Sequence, residues 1–133
     1  MKISEMPPLV KQADLPLAIL KMELKGHVIH YRIVDPVTLI GRAKDCHLEI
    51  PDDCDNVERY HATIFYEQDA FKIIDSNGSN PTKYGTFVNG VKIEPGISVT
   101  LHSGDRIVLG GFKRSQTLEL TRGACEIIFK LWT

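Results

Sequence analysis

The chain has 133 residues, of which 43% are hydrophobic and 25% charged, and its formal net charge is −1. This length fits one domain with a real core, and this composition excludes a wholly disordered chain. The near-neutral charge provides no global field for nucleic acid or an acidic membrane, and no apolar run approaches the roughly 18 residues of a membrane span. Residues 1–14 contain Pro7 and Pro8 and have mixed polarity. We therefore expect an extended N-terminal arm over residues 1–14 and one domain over residues 15–133.

Short segments rich in β-branched and aromatic residues follow one another, separated by turn residues, every 6–12 residues or so. In chain order, the predicted strands are 17–24, 28–34, 37–40, 48–50, 62–66, 71–74, 86–88, 91–93, 98–101, 106–109, 117–121 and 125–131. No segment is long and periodic enough for a helix. The spacing predicts an all-β sandwich of about eleven strands in two mostly antiparallel sheets.

The strongest local signal is the dipeptide Asn89-Gly90, which stands between two β-forming segments. Both central positions of a type I′ turn need a positive φ, which Asn and Gly tolerate best. The sequence therefore predicts a tight hairpin at this point of the chain.

The three cysteines are odd in number and include no Cys-x-x-Cys pair. They indicate free thiols in a reducing intracellular compartment, either cytoplasmic or nuclear. A zinc site from Cys46, His47 and Cys54 is conceivable, but no second ligand pair stands at the usual spacing. The sequence therefore predicts no metal and no other cofactor.

Four motifs follow one another in the chain: Gly41-Arg42, Glu58-Arg59-Tyr60-His61, Tyr84-Gly85-Thr86-Phe87-Val88-Asn89-Gly90 and Leu101-His102-Ser103-Gly104-Asp105-Arg106-Ile107-Val108-Leu109-Gly110. In order and spacing they resemble the pattern of the forkhead-associated (FHA) domain family, over roughly residues 17–120. The resemblance implies a SMAD/FHA-like sandwich of eleven strands. It also implies that loops at one end bind a phosphothreonine-containing segment of a partner protein.

Carried over position by position, the resemblance gives a mixed binding site. Arg42 matches the arginine that reads phosphate, Arg59 follows the position of the family's Ser, and Lys83 stands where a hydroxyl residue is common. Two positions depart from the pattern, because Glu58 replaces that Ser and Tyr84 replaces an Asn. A carboxylate about 4 Å from a phosphate charge costs about 4 kcal/mol at an effective dielectric near 20.

The resemblance assigns a second group of residues to structural support of the binding loops. These residues are Gly41, His61, Gly85, Thr86 and Asn89. His61 is expected to brace the loops from below rather than to act as a catalytic base.

Two interpretations of function follow. In the first, the chain is a non-catalytic interaction module that docks a phosphothreonine segment through Arg42, Arg59 and Lys83, with binding weakened or altered by Glu58 and Tyr84. In the alternative, Glu58 pairs with Arg42 and blocks the pocket, and the domain is a phospho-independent scaffold.

Both interpretations predict a protein partner, with no direct nucleic-acid or membrane binding, and both leave the oligomeric state open. No enzyme motif of the Gly-x-Ser-x-Gly, His-Glu-x-x-His or glycine-rich phosphate-loop type occurs, so we expect no catalytic residues.

Overall fold

The structure is a computed structural model that describes residues 15–76, 80–112 and 119–132. Within these residues the chain forms eleven strands: β1 (Leu17–Leu24), β2 (His27–Arg32), β3 (Val37–Gly41), β4 (Leu48–Glu49), β5 (Ala62–Glu67), β6 (Ala70–Asp75), β7 (Thr86–Val88), β8 (Val91–Lys92), β9 (Val99–Thr100), β10 (Arg106–Leu109) and β11 (Cys125–Trp132). The expected N-terminal arm, residues 1–14, lies outside the described residues.

The strands form two sheets. The six-stranded sheet has the order β2-β1-β11-β10-β7-β8, and the five-stranded sheet has the order β4-β3-β5-β6-β9. Within the described residues β3 and β4 pair in parallel, and the other paired strands are antiparallel. The predicted all-β sandwich with eleven strands is therefore confirmed.

The core lies between the inner faces of the sheets, where alternate residues of strands such as β1, β5, β6, β7 and β11 are buried. Phe71 on β6 and Phe129 on β11 come from opposite sheets, and their ring centroids lie 5.5 Å apart. Ile127 on β11 and Ile73 on β6 are completely buried on the same strands. The alternation of apolar residues thus decides which face of each sheet points inward.

The predicted strand 117–121 is wrong over the residues that the structure describes. In the segment predicted as strand 117–121, residues 117 and 118 lie outside the described residues. Of the remainder, only Leu120 pairs, in an isolated bridge with Phe112. After this bridge the chain enters the turn Thr121–Ala124, which is closed by a 3.1 Å hydrogen bond between the Ala124 N–H and the Thr121 carbonyl oxygen.

The predicted Asn89-Gly90 hairpin is present between β7 and β8. Asn89 has a φ of 52° and Gly90 a φ of 83°, as a type I′ turn requires. Lys25 and Gly26 join β1 to β2 with φ values of 51° and 81°. The longer connections β3–β4, β4–β5 and β6–β7 lie together at one end of the sandwich, where hydrogen bonds join them.

Candidate functional site

The loops β3–β4 and β4–β5 are tied together through their backbones. The N–H groups of Arg42 and Ala43 donate to the carbonyl oxygens of Glu58 and Arg59, both at 3.0 Å. Gly41 permits this crossing, because a Cβ at that position would lie 2.1 Å from the Arg59 carbonyl oxygen. The predicted support by Gly41 therefore has a steric cause, which is the close approach of the second loop.

Residues 82–86, at the end of the connection from β6 to β7, are folded around the buried carboxylate of Asp75, which is 4% exposed. One oxygen accepts the backbone N–H of Thr82 at 2.8 Å. The other accepts the hydroxyls of Thr82 at 2.8 Å and Thr86 at 2.6 Å. The Thr82 hydroxyl in turn accepts the Gly85 N–H at 3.1 Å. Hydrogen bonds to an ionised acceptor are about twice as strong as neutral ones, so this carboxylate fixes the shape of the loop.

His61 links two of the loops from beneath and is completely buried. Its Nδ1 accepts the Glu58 N–H at 3.0 Å, which leaves the hydrogen on Nε2 to be donated to the Gly85 carbonyl oxygen at 2.9 Å. Burial lowers the pKa of His61 below 6.5, against the opposing effects of the Gly85 hydrogen bond and of the Asp75 and Glu58 carboxylates. A neutral imidazole therefore joins loops β4–β5 and β6–β7.

Above these buried groups lies a partly exposed rim. Arg42 donates from Nε to the Val57 carbonyl oxygen. Its Nη1 lies 3.7 Å from the Asp52 carboxylate, which is 88% exposed, whereas the Arg42 side chain is 27% exposed. An exposed ion pair at this distance contributes little energy, so the guanidinium is oriented mainly by Val57.

The Glu58 carboxylate does not pair with Arg42. One of its oxygens accepts the backbone N–H of Lys83 at 2.6 Å. No ion pair joins Glu58 to Arg42 among the described residues, so the direct pair of the alternative interpretation is not formed. The reason is the approach of loop β6–β7, which offers Glu58 a backbone donor.

The other rim residues lie on the same loops. Arg59 is exposed, and its guanidinium has no ion-pair partner in the described part of the chain. Lys83 places its Nζ 5.3 Å from the centroid of the Tyr84 ring, in a cation–π contact. Tyr84 is 42% exposed. The structure thus brings Arg42, Arg59 and Lys83 to one end of the sandwich, together with Glu58.

Asn89 lies elsewhere. Its Oδ1 accepts the Arg106 N–H at 2.9 Å, and its Nδ2 donates to the Asp105 carboxylate at 3.0 Å. These contacts are at the end of β7 away from Gly85, and they hold the β7–β8 hairpin. Strand β7 separates Asn89 from Gly85, and support of the binding loops by Asn89 stays a prediction.

Sequence reasoning missed Asp75 and Thr82 as organisers of the site. A signal for Asp75 was available, since Phe71, Ile73 and Asp75 alternate along β6 and all three are buried. An acid on the inward face of a strand must find buried donors. Nothing local marks Thr82, because its partner is seven residues away.

The described residues contain no group of three or more His, Cys, Asp or Glu side chains that could hold a metal ion. His47, a member of the conceivable zinc set, instead accepts the Leu39 N–H at 2.9 Å through Nδ1 and lies 3.4 Å from Asp35 through Nε2. In the same part of the chain, no helix could cross a membrane.

The FHA domain family model matches residues 38–110, more than half of the chain. The chain belongs to the FHA family. Among curated proteins, Nibrin of Danio rerio is 37% identical over 81 residues and Nibrin of Mus musculus is 30% identical over 95 residues. These matches cover 61% and 67% of this chain. The chain spans only 9% and 12% of the length of those two relatives.

Solved FHA structures share the fold. The yeast Dun1 FHA domain in complex with a doubly phosphorylated peptide is 25% identical, with a TM-score of 0.61, and the match covers 87% of this chain and 74% of that one. The FHA domain of the CT664 protein from Chlamydia trachomatis is 18% identical, with a TM-score of 0.66, covering 88% of this chain and 99% of that one. FHA membership confirms the resemblance found in the four sequence motifs.

Proposed function

We propose that this FHA domain is a non-catalytic module that docks a phosphothreonine-containing segment of a partner protein on loops β3–β4, β4–β5 and β6–β7. The observation that carries this proposal is the arrangement of Arg42 and Arg59. Their loops are joined by backbone hydrogen bonds, and neither guanidinium is paired with the Glu58 carboxylate. A phosphothreonine carries nearly two negative charges and three acceptor oxygens, which such donors can bind. The Dun1 FHA complex with its phosphorylated peptide adds family support.

Glu58 weakens this binding without removing the donors. Each hydrogen bond between an arginine and a phosphate contributes about 1.5–3 kcal/mol, whereas a carboxylate about 4 Å from the phosphate costs about 4 kcal/mol before relaxation. The Lys83 N–H offsets part of that charge by its 2.6 Å bond to Glu58. We therefore expect a measurable but reduced affinity for phosphothreonine peptides.

A second candidate function is a scaffold that assembles complexes without phosphate. The observation in its favour is that the Glu58 carboxylate already accepts the backbone N–H of Lys83, while Arg42 donates to the Val57 carbonyl oxygen. In this candidate the carboxylate fills the position of a phosphate. The protein partner then binds elsewhere on the domain.

A titration with a degenerate phosphothreonine peptide library and its unphosphorylated counterpart separates the two candidates. The first predicts binding of the phosphorylated library alone, reduced by Arg42→Ala and by Arg59→Ala. Lys72→Ala, which removes one positive charge on β6 of the five-stranded sheet, is the control and leaves that binding unchanged. Equal, negligible binding of both libraries would exclude the first candidate.

The free thiols are consistent with an intracellular location. Cys46, Cys54 and Cys125 are buried and unpaired with one another as disulfides. Buried thiols persist where glutathione keeps cysteines reduced, so we infer a reducing compartment such as the cytoplasm or the nucleus.

A further inference from the structure

The outer face of the six-stranded sheet carries a regular pattern of cations and aliphatic side chains. Residues opposite each other on neighbouring strands share a face. Ile19 on β1 lies opposite Arg32 on one side and Lys130 on the other. One step along, Ile128 on β11 lies opposite Lys21 and Arg106. The cations therefore follow a zigzag across four adjacent strands, with the isoleucines in the gaps between them.

Most of these cations are not neutralised by the protein. Arg106 pairs with Glu126 on the same face. Lys21, Arg32 and Lys130 are exposed, and within the described ranges no carboxylate forms an ion pair with any of the three. Glu23 is the other carboxylate of this face near them. The face is thus locally positive although the whole chain has a net charge of −1.

The zigzag continues into exposed apolar surface at one end. Leu17 at the start of β1 lies opposite Trp132 at the end of β11. Leu17 is 40% exposed and Trp132 is 58% exposed. Large aromatic residues of this kind are enriched at the centres of protein interfaces. We define the basic face as Leu17, Ile19, Lys21, Arg32, Ile128, Lys130 and Trp132.

We propose that the basic face is a second docking surface, which binds an unphosphorylated acidic polypeptide segment in an extended conformation. Charge complementarity selects this occupant, because Lys21, Arg32 and Lys130 lack internal partners. Successive side chains of an extended segment point to opposite faces, so every second residue contacts the surface, at intervals of about 7 Å. The contacting residues should therefore be acidic and apolar in turn, because Trp132, Lys130 and Ile128 are apolar, basic and apolar in turn along β11.

Nucleic acid fits this surface less well. Its charged sugar–phosphate backbone offers no apolar side chain to pack against Ile19 and Ile128. An acidic polypeptide uses both chemistries of the face, which are ion pairing and apolar burial. The proposal is independent of the phosphothreonine site, since the basic face lies on a sheet and the site lies on the loops.

Trp132 provides a direct measurement, because it is the only tryptophan of the chain and lies on this face. A tryptophan-free peptide of about twelve residues that repeats Glu-Ser-Leu-Ser, and so presents Glu and Leu in turn on one face, is titrated while the Trp132 emission is recorded. We expect a shift to shorter wavelength that saturates and weakens with salt, as screened charges require. The same peptide with Lys in place of Glu gives no shift, and neither does a phosphothreonine peptide with basic flanks.

Variants test the location. Lys21→Glu/Lys130→Glu is expected to raise the Kd of the acidic peptide by about tenfold or more, since attraction is replaced by repulsion at two positions. Lys72→Glu on β6 of the other sheet is the matched control and changes the Kd by less than about twofold. The milder Lys21→Gln/Lys130→Gln gives an intermediate Kd and guards against loss of folding in the charge-reversed variant, with thermal unfolding checked for each protein.

Three results would overturn the proposal. These are equal affinity of the charge-reversed variant and the wild-type chain, equal binding of the Glu and Lys peptides, and a tighter Trp132 response to a single-stranded oligonucleotide than to the acidic peptide. The last result would reassign the face to nucleic acid.

Discussion

The buried layer beneath the binding loops and the exposed rim above it differ in how completely their polar groups are satisfied. Below, Asp75 accepts three hydrogen bonds and His61 uses both ring nitrogens. Above, Arg59 has no ion-pair partner in the described chain, and Arg42 has one backbone bond and a distant carboxylate. The lower layer therefore builds the loops, and the rim keeps donors that protein acceptors use only in part.

This difference explains why the sequence matches the FHA pattern better at the residues that shape the loops than at the residues of the rim. The residues that shape the loops match the FHA pattern at Gly41, His61, Gly85 and Thr86. The positions that depart from it, Glu58 and Tyr84, both belong to the rim. Changes in the lower layer should therefore cost stability, whereas changes in the rim should alter binding.

Asp75→Ala is expected to have the largest effect. It leaves the Thr82 N–H and the Thr82 and Thr86 hydroxyls without their acceptor in a buried site, and the free energy of unfolding should fall by about 4 kcal/mol. Urea denaturation measures the change. Asp52→Ala, which removes an 88% exposed carboxylate of the same rim, is the control and should stay within about 0.5 kcal/mol of wild type. Equal losses for both variants would contradict the division into two layers.

Gly41→Ala should follow, with a loss of about 3 kcal/mol, because the new Cβ meets a backbone carbonyl that cannot move aside without separating two loops. Gly26→Ala is the informative control. A Cβ there meets nothing within 4 Å, but its φ of 81° is strained for alanine. It should cost only about 1–2 kcal/mol. Thermal or urea unfolding ranks the two, and a larger loss for Gly26→Ala would refute the steric account of Gly41.

The neutral His61 predicts a pH dependence of stability. Because the folded-state pKa is below 6.5, the unfolded chain takes up a proton first as pH falls. Stability should therefore be complete above pH 6.5 and decline below it, by at most about 1.4 kcal/mol per pH unit, until the folded-state pKa is reached.

Unfolding measured between pH 7.5 and about 5 checks this sign. His61→Gln should flatten the decline, whereas His102→Gln, which changes an exposed histidine, should leave it unaltered. An unchanged slope in His61→Gln would assign the dependence to other groups.

Of these variants, Glu58→Ser should give the smallest change in the free energy of unfolding, and its main effect should be on the affinity for phosphothreonine peptide. Loss of the carboxylate removes the bond to the Lys83 N–H, and the free energy of unfolding should fall by about 1 kcal/mol. Binding of phosphothreonine peptide should become tighter by about tenfold, since the repulsion disappears. Calorimetric titration measures the affinity, with Glu49→Ser on β4 as control. Unchanged affinity would mean that Glu58 does not face the ligand.

The fold was predictable because its signals are local and periodic. Alternation along β1, β5 and β6 assigned the buried faces, and Asn89-Gly90 fixed one hairpin. The predicted strand 117–121 was wrong over its described residues. Apolar alternation in a short segment also occurs beside a turn, where a single residue such as Leu120 forms an isolated bridge.

The site was predictable only in part. Family motifs located Arg42, Arg59 and His61, but the partner of Glu58 depended on the approach of loop β6–β7. A hydrogen bond between residues 58 and 83 is a tertiary contact that no local pattern specifies. The same limit hid Thr82, and the continuity of the motif in sequence did not show that β7 separates Asn89 from Gly85.

The pairing of Leu17 with Trp132 also has a mechanical consequence. Force applied between residues 15 and 132 acts on the start of β1 and the end of β11, which lie side by side. It therefore separates the two strands from that end. Hydrogen bonds of an antiparallel pair run perpendicular to the strands, so they would open one after another, as in a zipper, rather than resist together in shear. The sandwich should therefore yield at low tension along this direction, beginning at the basic face and reaching the loops last.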